Sequence, residues 1–225
     1  MKRIVHVLAV LVVSVALIGL SFMVVLTPAV THNLAAAHVD TETSGLPHDY
    51  LVEIADQTRA FSLGDDAAKL PIGDDERIAF TPEVISHLLD VRGVFITVEF
   101  VTIALIVIAA ALLTWMYTKK GVNGLAKVIA VGGAIPLILA LLIAAIGIMD
   151  FNSLFTAMHG LFFAEGSWTF SYDSLLICAL PLPFWMGCAA VWAAALVVLC
   201  VTSVIIGLIM LDRDRRKIRA RAARV

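Results

Sequence analysis

Residues 4–26, IVHVLAVLVVSVALIGLSFMVVL, hold no acidic, lysine or arginine side chain, and Lys2 and Arg3 stand just before them. A helix rising ~1.5 Å per residue needs ~20 mostly apolar residues to cross the hydrocarbon of a bilayer, so this stretch reads as a transmembrane helix. Three further tracts read the same way. They are Phe100–Thr118 between Glu99 and Lys119, Val128–Ile148 between Lys127 and Asp150, and about Phe184–Leu211 ahead of Asp212. None alternates as a barrel strand would, which leaves the helix as the spanning structure. Gly132, Gly133 and Pro136 in the third tract, and Gly187, Ala189, Ala190 and Ala193–Ala195 in the fourth, are small or helix-bending residues suited to close helix packing in lipid. The expected fold class is an all-α integral membrane protein, with four transmembrane helices, an extracytoplasmic cap and a short re-entrant or interfacial helical segment.

Composition agrees. The chain has 225 residues, 61% of them hydrophobic and only 15% charged, against ~25% charged in soluble domains. Such a chain cannot bury its apolar surface as a soluble domain. Its three cysteines, Cys178, Cys188 and Cys200, lie in the last uncharged tract and make no disulfide framework.

The formal net charge of −2 conceals segregation. Residues 28–95 carry twelve acidic against four basic residues, whereas 212–225 carry seven basic against two acidic. Basic clusters mark the cytoplasmic side. Lys2 and Arg3, then Lys119, Lys120 and Lys127, then the tail therefore share that side, and four spans make them agree. The expected division is a first span in 1–27, an extracytoplasmic cap in 28–95, a second span in 96–118, a cytoplasmic loop in 119–127, a third span in 128–149, an outer-leaflet interfacial segment in 150–183, a fourth span in 184–211 and a basic cytoplasmic tail in 212–225. Ala35-Ala36-Ala37 imitates a signal-peptidase site. The preceding apolar run is longer than a secretory core of ~7–15 residues and ends well before the alanines, so a retained anchor is expected.

The outward segments carry their own patterns. Leu51, Ile54, Ala55 and Thr58 follow a helical repeat within Asp49–Phe61. Residues 62–76, broken by Gly64, Pro71 and Gly73, read as a surface loop. Thr81-Pro82-Glu83 is a helix start, after which Val84, His87, Leu88 and Val91 share one face. Asp90 is placed to reach the His87 ring, and Gly93 is expected to relax the chain before the second span. Phe151–Phe163 is apolar but too short to span, and reads as re-entrant or interfacial. Leu154, Phe155, Met158 and Phe162 form its apolar face, with His159 at the border. Trp168 and Tyr172 suit the headgroup level. Pro181 and Pro183 set off 174–182 as a short interfacial approach to the last span, so the apolar 151–180 region is expected on or in the outer leaflet.

Ionisable groups near a membrane are functional candidates, and histidine changes charge near neutral pH. His6 reads as interfacial, and His32, His38 and His48 as loop residues. His87 and His159 remain. They are a catalytic pair, or else two independent interface histidines held by backbone carbonyls. No nucleophile elbow, HExxH, CxxC, P-loop or GxGxxG occurs, and no tight ligand spacing supports a metal. The basic tail reads as an inner-leaflet lipid contact rather than a nucleic-acid arm.

The same two histidine segments carry a family likeness. Phe80-Thr81-Pro82-Glu83-Val84-Ile85-Ser86-His87-Leu88-Leu89-Asp90-Val91-Arg92 resembles one hallmark of a family of four-span bacterial membrane proteins that includes the lipoprotein intramolecular transacylase, Lit. The run from Phe155 and His159-Gly160-Leu161-Phe162-Phe163 through Gly166-Ser167-Trp168-Thr169-Phe170 to Asp173-Ser174-Leu175-Leu176 resembles its second hallmark. The chain departs from the family in its acid-rich cap and at Leu182-Pro183-Phe184-Trp185, where relatives carry a polar residue. The resemblance implies an acyltransferase of the bacterial cytoplasmic membrane. It would move the sn-2 acyl chain of a diacylglyceryl-cysteine lipoprotein to the α-amino group of the same cysteine, giving the lyso-form. It implies His87 and His159 as the functional pair. Beside them, Asp90 is a candidate to orient His87 and Glu165 to recognise the substrate ammonium, each against a plain surface or capping role, and Trp168 and Tyr172 are expected to set depth rather than react. No cofactor is expected, because the ester already stores the acyl group. The expected partners are diacylglyceryl-modified lipoproteins and membrane phospholipids, not nucleic acid. The alternative is a non-enzymatic lipid- or lipoprotein-binding accessory protein. A small transporter fits less well, since no ionisable residue is placed mid-span.

Overall fold

The computed structural model describes residues 2–222. Arg224, the last base of the tail, lies outside the described residues. The elements in chain order are α1 (Lys2–Val25), α2 (Pro28–His38), α3 (Thr41–Ser44), α4 (His48–Ser62), α5 (Pro82–Met149), α6 (Phe151–Phe162), α7 (Leu175–Ala179) and α8 (Leu182–Ala222). The one β feature among the described residues is an isolated pairing of Ile72 with Phe80. The protein is all-α.

Among the described residues, three helices are long and apolar enough to cross a membrane, α1, α5 and α8, one fewer than the four tracts expected. The difference lies in α5, which absorbs two of them. Its 68 residues would extend about 100 Å if straight. At Gly121 the backbone takes φ 64° and ψ −165°, a region essentially confined to glycine. Ala109 and Met116 before that point, and Val128 after it, join Ala9, Val10, Val12 and Val13 of α1 in one buried cluster. Both arms of α5 thus pack with α1, and the chain folds back at Gly121. The loop expected over 119–127 is helical except for this reversal. Gly93 likewise does not interrupt α5. A lone interior glycine costs only ~1 kcal/mol, and a chain entering lipid gains by keeping its backbone hydrogen bonds internal.

The chain forms two compact units. The first comprises Met1–Phe22, Phe100–Ala144 and Ala193–Val225. Its helices meet at small and hydroxyl residues, as packing in lipid favours. Ser14 Oγ donates to the Gly132 carbonyl at 2.9 Å, and Ser203 Oγ to the Ile129 carbonyl at 2.8 Å. Gly133 lies so close to α8 that a Cβ there would sit 2.8 Å from the Cys200 carbonyl oxygen.

The second unit comprises Met23–Glu99 and Ala145–Trp192. α4 forms where its repeat was read and buries Leu51, Ile54, Ala55 and Thr58. The helix α2 was not foreseen. His32 and His38 lie on it and His48 opens α4, rather than in loops. Two contacts fasten the pair: His32 Nδ1 lies 2.7 Å from Asp56 Oδ2, and His48 Nε2 donates to the Ala36 carbonyl at 2.9 Å.

Residues 175–180 also differ from expectation. Read as lipid-facing, they instead pack into the core of this unit, with Leu175, Leu176, Cys178, Ala179 and Leu180 buried beside Leu51, Phe80 and Val84. Backbone bonds from Leu175 N to the Glu76 carbonyl (2.7 Å) and from Asp40 N to the Cys178 carbonyl (2.8 Å) tie this short helix in on both sides.

Candidate active site

Three local structures carry the site, all in the second unit. Thr81, extended at φ −70° and ψ 166°, starts α5 with Pro82 in its first turn. Its hydroxyl serves Glu83 rather than the helix backbone, and holds that carboxyl below its usual range. The buried stripe Val84, His87, Leu88 then turns His87 inward. Asp150 starts α6, accepting from Ser153 N at 3.0 Å and Ser153 Oγ at 2.5 Å, and the last turn of α6 carries His159. The segment after α6 returns Phe163, Trp168 and Phe170 to the same place.

The two histidines meet. Each is only 8% exposed, and their rings stack with centroids 6.4 Å apart and planes 26° from parallel. No hydrogen bond joins them, and the His87 Nδ1 is left without a partner. His159 lies between Phe155 (4.0 Å) and Trp168 (4.7 Å). His87 contacts Phe163 edge-on at 4.9 Å and Phe170 at 5.6 Å. Trp185 extends the aromatic wall, 6.1 Å from Phe155.

Electrostatics fix the protonation states. His159 Nδ1 lies 2.9 Å from the Phe155 carbonyl oxygen. A carbonyl only accepts, so Nδ1 carries the proton and Nε2 keeps its lone pair. Burial lowers the pKa of His159, opposed by that hydrogen bond. Burial, and next the charge of His159, push His87 down to about 4, with Asp90 acting the other way. Both imidazoles are neutral at pH 7. His87 Nδ1 and Trp168 Nε1 are buried without hydrogen-bond partners.

The remaining expected site residues lie apart from the rings. Asp90 is exposed and reaches His87 only through its charge. Glu165 is exposed, and Tyr172 is 77% exposed. Trp168, read as suited to the headgroup level, is half-buried and packs in the histidine enclosure, 4.7 Å from His159. The apolar face read on α6 is divided: Leu154 and Phe155 are partly buried, Phe155 against His159, while Met158 and Phe162, with Leu161, are exposed. Sequence reasoning missed Phe163, Phe170 and Trp185. The density of aromatics over 151–170 was the available signal, but it also suits a membrane interface. A polar groove of about 1170 Å³, lined by Arg77, Thr81, Glu83, Ser86, Ser167 and Phe170 among others, shares Phe170 with the His87 ring. Among the described residues, no three of His, Cys, Asp and Glu gather closely enough to hold a metal ion.

Comparison with known proteins follows the same residues. No curated protein matches the chain. Among solved structures, the lipoprotein intramolecular transacylase Lit from Bacillus cereus superposes with a TM-score of 0.79 at 17% identity, covering 96% of this chain and 98% of that one. Two variants of the Bacillus cereus protein, each with a substituted histidine, superpose with TM-scores of 0.72 and 0.73, also at 17% identity; each covers 96% of this chain, and the matches span 95% and 96% of theirs. These likenesses establish the fold. A family model described as lipoprotein intramolecular transacylase Lit matches residues 4–185, a range that contains both histidines and the whole aromatic enclosure, and the chain belongs to the Lit family of lipoprotein intramolecular transacylases.

Proposed function

We infer that this chain is an intramolecular acyltransferase that converts diacylglyceryl-cysteine lipoproteins to the lyso-form, with His87 and His159 as its catalytic pair. The observation that carries the reading is a neutral, tautomer-fixed His159 beside a neutral His87 in one aromatic enclosure.

The chemistry requires a neutral amine, and an α-amino group titrates at ~7.7–8.0. As its nitrogen attacks the sn-2 ester carbonyl, His159 Nε2 takes the amine proton. His87, held neutral, keeps an N–H for the oxygen on which negative charge develops. The C–O bond to glycerol then breaks, and the imidazolium of His159 returns its proton to the departing glycerol oxygen. The new amide and the free hydroxyl stay on one molecule, and no cofactor enters the balance. Both reacting groups belong to one cysteine, so proximity supplies much of the rate.

The proposed setting is the bacterial cytoplasmic membrane. Both arms of α5 cross it, giving four crossings with α1 and α8, and both termini are cytoplasmic. The cap, 28–95, and the segment 150–183 face outward, where the acyl chains of the substrate lie. The exposed Met158, Leu161 and Phe162 of α6 suit contact with those chains and with phospholipid. The basic end of α8 suits the anionic inner leaflet. Asp90, exposed beside the His87 turn, tunes that ring by charge, while exposed Glu165 and Tyr172 suit the peptide end of the substrate.

Mass spectrometry of lipoprotein N-termini tests this. Expression of the wild-type chain in cells making diacyl lipoproteins yields the lyso-form. H87A and H159A each lower conversion by at least about 10²-fold, as loss of a general acid–base group does, at normal abundance in the membrane. Retained conversion in either variant removes that histidine from the site.

A further inference from the structure

We propose that Trp168 is a catalytic hydrogen-bond donor, whose indole N–H works beside His87 to hold the oxyanion formed when the amine attacks the ester. The inference rests on the transacylase reading and assigns a further group to the same reaction.

A tryptophan N–H buried away from water normally finds an acceptor, and the other tryptophan of this enclosure does. Trp185 Nε1 donates to the Leu180 carbonyl at 2.9 Å. Trp168 Nε1 is buried with no acceptor, a cost that phenylalanine at the same position would avoid. The loop does not need that N–H to hold its shape. Ser167 Oγ donates to the Ala164 carbonyl at 2.9 Å, and Thr169 Oγ1 to the Gly166 carbonyl at 3.3 Å.

Position assigns the use. The Trp168 ring packs 4.7 Å from His159, and the His87 ring lies 6.4 Å from the same imidazole. Trp168 Nε1 and His87 Nδ1, both buried without a partner, thus belong to two rings that neighbour the base. An indole N–H only donates and does not ionise near neutral pH. It therefore cannot move the reaction's proton, but it can stabilise an anion. In the step so assisted, the bond from amine nitrogen to acyl carbon forms, the carbonyl electron pair moves onto oxygen, and the amine proton goes to His159. Collapse of the oxyanion then expels the glycerol oxygen, which takes the proton from His159.

The test uses the full-length protein reconstituted in phospholipid with a synthetic diacylglyceryl lipopeptide. Trp168→Phe removes the N–H together with part of the ring. Replacing Trp168 by benzothienylalanine removes the N–H alone and keeps the ring's shape. Both variants are expected to lose about 10²-fold in kcat, the usual effect of one oxyanion donor, with KM and the affinity for an sn-2 ether analogue little changed, since the ether lacks the carbonyl oxygen. A benzothienylalanine enzyme with wild-type kcat, or one altered only in KM or ether affinity, overturns the proposal and leaves the transacylase reading standing. A wild-type protein that converts no lipopeptide overturns both.

Discussion

His159 donates its Nδ1 proton to the carbonyl of Phe155, one turn earlier on the same helix, so its basic nitrogen is fixed by local helix geometry rather than by a carboxylate. Both site histidines have pKa values lowered chiefly by burial, His87 to about 4. A lowered imidazole pKa means the neutral, active form is present at every pH above that value. The group still needing to lose a proton near neutrality is then the substrate ammonium, at ~7.7–8.0. A plot of log kcat/KM against pH should rise with unit slope to about that value and then level, because kcat/KM reports free enzyme and free substrate. A second break near pH 6.5 would show that a histidine titrates as it does in water. At this scale the sequence was partly legible. His87 stands out because it shares a face with Val84 and Leu88, and His159 because it interrupts an apolar run. Phe163, Phe170 and Trp185 did not stand out, since an aromatic built into an enclosure and one lying at a headgroup look alike in a string of residues. Asp90 was legible as a neighbour at helical spacing, but spacing alone cannot tell a hydrogen bond from an exposed charge.

Among the elements, α5 shows best how a single residue governs a helix pair. Gly121, at φ 64° and ψ −165°, occupies a conformation that costs other residues about 1–3 kcal/mol. Gly121→Ala should lower stability by about that amount, read as the midpoint of unfolding in mixed micelles; an unchanged midpoint would show that the reversal does not depend on glycine. Gly133→Ala acts differently, by forcing α8 backbone away from a Cβ that would lie 2.8 Å from the Cys200 carbonyl oxygen. Overpacking of this kind costs about 1–3 kcal/mol and should also appear in the unfolding midpoint. The apolar tracts, the helix at α4 and the start of α5 at Thr81-Pro82 were legible because hydropathy and capping are local signals. The helix α2 was not, because PAVTHNLAAAH has no strong apolar periodicity and is held by long-range contacts from His32 to Asp56 and His48 to Ala36. The burial of α7 was hidden for a related reason: an apolar segment next to a span reads as lipid-facing until its partners, Leu51 and Phe80, are known.

For the whole molecule, charge segregation makes the orientation testable. The native cysteines are buried, so an introduced exposed cysteine reports its own side. A membrane-impermeant maleimide should label Glu42→Cys in intact cells, and Arg219→Cys only after permeabilisation. The reverse pattern would place the histidine pair on the cytoplasmic side and remove it from its substrate. Hydropathy made the membrane-spanning class legible, because lipid imposes long apolar runs along the chain; it read four tracts where the described residues form three long apolar helices, two of the tracts being continuous in α5. The helical packing of the cap was not legible, since water imposes no such pattern. The central claim, that the pair His87 and His159 passes an acyl chain within one molecule, is tested most directly by crossover. The purified, reconstituted protein is given an equal mixture of two diacylglyceryl lipopeptides, one bearing an isotopically labelled sn-2 acyl chain and a labelled peptide, the other unlabelled. The products are isomers of the substrates, so fragmentation reads where each chain now sits. The account predicts N-acylated lyso-products in which labelled chains remain on labelled peptides, and no conversion by H87A or H159A. Scrambled labels, or conversion that survives loss of either histidine, would contradict it.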